Sequence, residues 1–206
     1  MRPTTLGAPG TQLVIISGPS GVGKDTIIEA MRRLPTAAAY HYVVTCTTRP
    51  PRPGEVDGIH YRFLTLEAFA ALRDEDGFLE WAEVHGNWYG TPRDSVRAAL
   101  AAGRDVVLKI DVQGAETVKK KVPEALLIFL VPPSMQELFR RLRSRATESA
   151  DELEVRQRNA AIELARREDY DHVVENATGE VDRTAAGIVG LIAEAHRDHA
   201  TRRVRV

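Results

Sequence analysis

Leu13-Val14-Ile15-Ile16-Ser17-Gly18-Pro19-Ser20-Gly21-Val22-Gly23-Lys24-Asp25-Thr26 is the stretch that decides how this chain is read. A short β-branched apolar run stops abruptly at Ser17-Gly18-Pro19-Ser20-Gly21, which predicts a buried parallel strand over a helix. Beyond it, Ile27, Ile28, Met31 and Leu34 fall at helical spacing until Pro35 ends the run. Strand, glycine-rich turn and helix open a βαβ unit. The turn, Gly18 to Lys24, fits the frame G-x-x-x-x-G-K of a phosphate-binding loop. Glycines let the backbone curl until successive N–H groups face a phosphate, and the helix adds its positive N-terminal end. Lys24 brings a point charge to the β- and γ-phosphates. A plain glycine turn shares the spacing, but not the position between a core strand and an amphipathic helix. Gly18, Pro19, Ser20, Gly21, Val22, Gly23, Lys24, Asp25 and Thr26 are therefore the candidate ATP-binding residues. The frame ordinarily ends in Ser or Thr, whose hydroxyl ligates Mg²⁺. Asp25 stands there instead, and is expected to be a metal-side ligand, directly or through water. The competing reading is a helix-start acid that favours the dipole.

Outward from this loop the βα alternation continues. Val43-Val44 begins a second extended segment, and the proline-rich stretch Arg49 to Gly58 cannot be regular structure. Tyr61 to Leu64 reads as extended, Thr65 as the cap of a short helix through Leu72, Phe78 to Val84 as a strand, and Gly86-Asn87 as a turn. Pro92 suits a first helical position, with the helix running to about Ala102. Val106 to Asp111 is a core strand ending in an acid, followed by a helix from about Gly114 to Lys121 and a strand Leu126 to Val131. Helices are expected over Ser134 to Arg145, about Asp151 to Arg167 and about Val181 to His196, with Val173-Val174 a last short strand. The pattern predicts an α/β fold, a doubly wound parallel sheet with helices on both faces. No internal repeat or low-complexity tract interrupts it.

Composition narrows the function classes. A chain of 206 residues with 43% hydrophobic and 28% charged content suits one α/β domain with small excursions. A formal net charge of −1 excludes a bulk electrostatic pull toward nucleic acid or anionic membrane, so phosphate must be bound by local arrangement. Cys46 is the only cysteine, so no intramolecular disulfide forms, in keeping with a reducing cytoplasm. No apolar run approaches a membrane span, and the first twelve residues hold no signal-peptide core. Six histidines are scattered without metal-site spacing.

The loop Thr47-Thr48-Arg49-Pro50-Pro51-Arg52-Pro53-Gly54-Glu55 sets two arginines three apart on a proline-stiffened segment. Arginine offers a planar fork suited to phosphate, and proline lowers the ordering cost. Taken alone the loop also reads as a solvated basic segment or a proline-rich peptide ligand. In context the chain resembles the guanylate kinase family. The resemblance rests on the phosphate loop, on Thr47-Thr48-Arg49-x-x-Arg52-x-Gly54-Glu55 with Gly58-x-x-Tyr61, and on Phe78-Leu79-Glu80-Trp81-Ala82. It continues through Gly86-Asn87-Trp88-Tyr89-Gly90-Thr91, Ile110-Asp111-Val112-Gln113-Gly114 and Pro132-Pro133-Ser134. These motifs run in order from about Leu13 to Val189.

The resemblance implies a P-loop NTPase-type core (11–44, 92–133 and 159–206), an inserted GMP-binding subdomain (45–91) and a helical lid (134–158). Arg49, Arg52, Tyr61 and Tyr89 would grip the GMP phosphate, and Glu80 would accept hydrogen bonds from guanine N1–H and N2–H₂ with help from Thr45 and Thr91. Gly90 and Asp111 would belong to the same GMP site. Arg141, Arg145 and Arg156 match lid positions that close over ATP; taken alone the Arg140–Arg145 cluster reads as a solvated face or a nucleic-acid patch. Asn176 matches a position near the adenine. Lys24, Arg49, Arg141 and Arg145 are the implied catalytic residues, with Mg²⁺ as cofactor. The partners implied are ATP and GMP, with no nucleic acid and no membrane, in a cytoplasmic monomer or homo-oligomer. Lys109 departs from the pattern, standing where an acid usually precedes Asp111 by two residues, and Ala146 replaces a common glycine. Two other classes share the resemblance: ribose-bisphosphate kinases, some of which carry an acid after the loop lysine, and non-catalytic modules with a degraded loop.

Overall fold

The computed structural model describes residues 7–8, 10–84, 86–143, 150–198 and 203–206. In chain order, Leu13–Ser17 forms β1 and Lys24–Arg33 forms α1. A 3₁₀ turn at Pro35–Ala39 leads into β2 (Tyr40–Tyr42). Then come β3 (Cys46–Thr47), β4 (Arg62–Phe63), α2 (Leu66–Asp74), β5 (Phe78–Val84) and β6 (Asn87–Pro92). α3 (Arg93–Ala101), β7 (Asp105–Lys109), α4 (Val112–Lys121) and β8 (Leu126–Val131) return the chain to the first sheet. α5 (Met135–Arg143), α6 (Ala150–Ala165), a 3₁₀ turn at Arg166–Asp169, β9 (His172–Glu175) and α7 (Val181–Asp198) complete it.

β1 sits at the centre of a five-stranded sheet of order β2-β7-β1-β8-β9, parallel at every pairing. Strand alternation splits its apolar residues between two cores. Leu13 and Ile15 face one layer, where Val96 and Leu100 of α3 and Val118 of α4 close over them. Val14 and Ile16 face the other, against Ile27 and Met31 of α1 and Ile188 and Ile192 of α7. Such a side chain contributes about 1.5–3 kcal/mol when fully buried. The basic C-terminal end also joins the core: Val204 and Val206 are buried in the first layer, while Arg203 and Arg205 stay exposed. The Gly7 N–H donates to the Val204 carbonyl at 2.9 Å, and Arg97 Nε to the Val206 carbonyl at 3.1 Å. Removing residues 203–206 is expected to cost about 3–6 kcal/mol as an upper range. A lowered urea midpoint is the check.

Four short strands, ordered β4-β3-β6-β5, make a second sheet with α2 against it. Its small core holds Cys46, Phe69 and Phe78, the two rings stacked 4.5 Å apart. Burial pushes the Cys46 thiol up to about 11, so it is an inert core group. The Thr65 hydroxyl caps α2 by accepting from the Ala68 N–H at 3.2 Å, as its position predicts.

Several boundaries differ from the sequence expectation. The second strand is Tyr40–Tyr42, ahead of Val43, because the chain leaves the first sheet after Val43 donates to the Val107 carbonyl. β7 ends at Lys109; Asp111 lies beyond it as the N-cap of α4, its carboxylate accepting from the Gly114 N–H at 2.8 Å. α4 therefore starts at Val112. β6 carries no local strand signal because Gly90 and Pro92 are weak strand formers; it is held by antiparallel pairing to β5. Pro92 precedes α3 and is not its first helical residue.

Candidate active site

The turn between β1 and α1 keeps its shape through glycine. Gly18, Gly21 and Gly23 have φ of +141°, +83° and +102°, which side chains with a Cβ rarely adopt. At Gly18 a Cβ would also come within 2.5 Å of the Leu130 carbonyl oxygen. Val22 is buried in the second core layer and anchors the turn from beneath. Its carbonyl accepts from Asn176 Nδ2 at 2.8 Å and from Arg141 Nη1 at 3.2 Å. The Lys24 ammonium donates to the carbonyls of Gly18 and Pro19, at 2.5 and 3.1 Å. Burial lowers its pKa, with Glu163, Asp25 and Asp111 pulling the other way. Into the concave side of the turn comes the Glu163 carboxylate of α6, accepting from the Ser20 N–H at 3.1 Å. Burial raises its pKa, against the pull of Lys24.

The second sheet builds the opposite wall. Glu80 on β5 is 3% exposed and accepts from the Thr91 hydroxyl of β6 at 2.5 Å. Burial lifts its pKa from 4.5 to about 7; the Thr91 hydrogen bond opposes this and Asp111 adds to it. Gly114 of α4 lies directly behind, where a Cβ would sit 2.7 Å from Glu80 Oε2. Arg49 is nearly buried and makes a forked pair with Glu55, Nη1 to Oε2 at 2.8 Å and Nη2 to Oε1 at 2.9 Å. Glu55 also accepts from the Arg52 N–H at 2.7 Å. Burial alone would raise the Glu55 pKa, but Arg49 and the Arg52 N–H hold it below the usual range. The Arg49 guanidinium lies 5.2 Å from the Tyr61 ring centre, and the Tyr61 and Tyr89 rings meet edge-on at 6.0 Å.

One cleft joins the two walls. Gly18, Ser20, Gly21, Gly23, Lys24 and Asp25 line its donor side. Thr45, Arg49, Arg52, Tyr61, Glu80 and Tyr89 line the other, with Asp111 between and Arg156 of α6 above. Arg141 and Asn176 do not line it. Asn176 is buried behind the loop, and its carbonyl and the Thr178 hydroxyl accept from Arg141 Nη2 at 3.2 and 3.0 Å. Both hold the loop through Val22. Gly90 is packed under the Phe78 ring, and Thr26 lies on the exposed start of α1. Arg145 and Ala146 lie outside the described residues.

Two residues that line the cleft, Glu163 and Lys109, and Glu55 beside it on the Arg49 side carry no role assigned from sequence. Glu55 was legible only as part of a motif; its partnership with Arg49 needs the folded loop. Glu163 follows Arg156 by seven residues, two helical turns, and that spacing was its only signal. Lys109 was visible only as a departure from pattern; in the fold it meets Asp25.

The family profile described as guanylate kinase matches residues 10–193. The chain is 48% identical to the guanylate kinase of Desulfitobacterium hafniense over 165 residues, covering 80% of this chain and 81% of that protein. It is 44% identical to the guanylate kinase of Mycobacterium bovis over 196 residues, 93% of this chain and 92% of that one. The crystal structure of guanylate kinase from Anaplasma phagocytophilum superposes with a TM-score of 0.74 at 28% identity, covering 95% of this chain and 91% of that one. With the loop, the two-sheet architecture and a match across nearly its whole length, the chain belongs to the guanylate kinase family of phosphotransferases.

Proposed function

We propose that this chain transfers the γ-phosphoryl group of Mg·ATP to GMP or dGMP, giving ADP and GDP, within purine nucleotide metabolism in the cytoplasm. The observation that carries this reading is Glu80, a buried carboxylate opening on the same cleft as Lys24. Guanine presents two donor groups to such a carboxylate and adenine presents none at that edge. A site whose buried polar group is left unpaired by the wrong base discriminates strongly.

In this reading residues 11–44, 92–133 and 159–206 form the core, 45–91 binds GMP and 134–158 is the lid. Arg49 and Arg52, stiffened by Glu55, hold the acceptor phosphate with Tyr61 and Tyr89. Thr45 and Thr91 assist Glu80, and Gly90, by letting the Phe78 ring pack on β6, holds the neighbouring Thr91 in place in the GMP site. The acceptor oxygen is already ionised at neutral pH, so no general base is required. The chain's contribution is positioning and charge neutralisation. Lys24 and the backbone of the Gly18 to Thr26 turn carry the donor phosphates. Arg156, with Arg145 on the lid, adds positive charge, while Arg141 acts through the loop it braces at Val22 and Asn176 steadies the loop on the adenine side.

Among the described residues no group of three or more His, Cys, Asp or Glu is gathered for a metal. Asp25 and Asp111 both line the cleft beside the loop. One or two carboxylates completed by phosphate oxygens is how magnesium is ordinarily held, so the donor set fits an ion that arrives with ATP. Asp25 and Asp111 would hold it, and when bound it neutralises charge on the phosphates. No described helix is long and apolar enough to cross a membrane.

A coupled ADP-release assay with GMP, AMP, UMP and ribose 1,5-bisphosphate tests the reading. Turnover with GMP is expected; turnover with the ribose compound alone would replace it. Absence of turnover despite ATP binding would favour a binding module. Glu163 adds a second check. Its carboxylate sits where phosphate oxygens are expected and repels them, so Glu163→Gln should tighten ADP binding about tenfold. Calorimetry on the two proteins measures it.

A further inference from the structure

Asp25 and Lys109, the two positions beside the cleft that the resemblance marks as departures, are brought into contact by the fold. Asp25 stands in the first turn of α1 and Lys109 ends β7, 84 residues further on. The Lys109 ammonium donates to Asp25 Oδ1. The same ammonium lies 4.3 Å from the centre of the Tyr61 ring. Lys109 is largely buried, its side chain 15% exposed against 51% for Asp25.

These contacts make each residue depend on the other. An ammonium taken this far from water is costly without a partner. A serine at position 25 would leave that charge without its carboxylate. An acid at position 109 would face the Asp25 carboxylate at contact distance, and like charges there are strongly unfavourable. Serine at 25 or an acid at 109 is therefore disfavoured unless both are present.

The pair also spans the cleft. Asp25 follows Lys24 on the donor side, and Tyr61 belongs to the second sheet on the acceptor side, next to Tyr89 and Arg49. We infer that Lys109 is a positioning residue for phosphoryl transfer, its ammonium tying Tyr61 of the acceptor wall to Asp25 of the donor wall. The Lys109 charge thereby fixes the separation of the two subsites, and Asp25 serves first to orient it. This rests on the phosphotransferase reading above.

The test exchanges the pair for the family's usual residues: Asp25→Ser, Lys109→Asp and both together. Each single change is expected to lower kcat/KM for GMP about 10–100-fold, and the double variant to return to within about fivefold of the parent. The unfolding midpoint without nucleotide should follow the same order, falling in each single variant and recovering in the double. Lys109→Met, which keeps the stem and loses the charge, should weaken GMP binding about tenfold in calorimetry without ATP or metal, with ADP binding moved less than twofold. Should Lys109→Asp not fold, the cycle of Asp25→Asn and Lys109→Met reads the same coupling. Losses that multiply in the double variant would overturn the inference, as would unchanged GMP binding in Lys109→Met. A parent protein inert toward GMP would defeat the functional reading alone, because the unfolding-midpoint cycle reports the pair without turnover.

Discussion

Lys24→Ala is expected to lower kcat by about 10³-fold or more while moving the unfolding midpoint by only a few degrees. The size follows from what the side chain replaces. A fixed donor aimed at charge that develops in the transition state is worth about 10²–10³-fold, and a full cation on a transferring phosphoryl group reaches about 10³–10⁵. The small effect on folding follows from the contacts. Lys24 gives up two hydrogen bonds to the Gly18 and Pro19 carbonyls, but Val22 remains in the core and Asn176 still holds the turn. Burial also penalises the lysine's charge, so its removal relieves part of that cost. ADP release under saturating substrates, with thermal unfolding followed in parallel, decides it. A near-normal kcat would refute the assignment of Lys24.

Glu80→Gln is expected to cut the preference for GMP over AMP by about 10³-fold or more. The glutamine amide turns a donor toward guanine donors, and a site with buried polar groups left mismatched loses selectivity on a scale of about 10⁴–10⁵. The native residue should also make GMP binding pH-dependent. In the free protein burial holds Glu80 at a pKa of about 7. On the proposed reading guanine pairs with the ionised form, so the KM for GMP should rise about tenfold for each pH unit below that value. In Glu80→Gln the slope should vanish. Stability runs the opposite way. A carboxyl whose folded pKa lies above its unfolded value loses stability as pH rises from 4.5 to about 7. The ligand-free protein should therefore unfold at lower temperature at pH 7.5 than at pH 5 through this group, and GMP should reverse the difference. KM measured from pH 5.5 to 8 on both proteins is the check.

Much of the fold was legible because apolar residues recur with the right period. β5 and β8 have the boundaries their patterns predict, and the phosphate loop announces itself by glycine spacing. β6 and the early start of β2 were not legible, since pairing partners and not local propensity make them strands. In the site, Glu80 and Arg49 were recoverable from ordered motifs, and both line the cleft. Arg141 and Asn176 were expected beside ATP; the fold sets them behind the loop, a distinction that spacing cannot express. Glu163 and the Asp25–Lys109 contact depend on segments far apart in sequence meeting in space.

Gly114 looks replaceable when α4 is viewed alone. A glycine in a helix interior gives up about 1 kcal/mol relative to alanine, so exchanging the two is a routine route to a sturdier protein. Here the missing methyl group is the space into which the Glu80 carboxylate fits. A screen for heat resistance that accepted alanine at this position would, unasked, displace the carboxylate proposed to read the base. The packing of α4 and the position of the Glu80 carboxylate are thus set by the same missing methyl group.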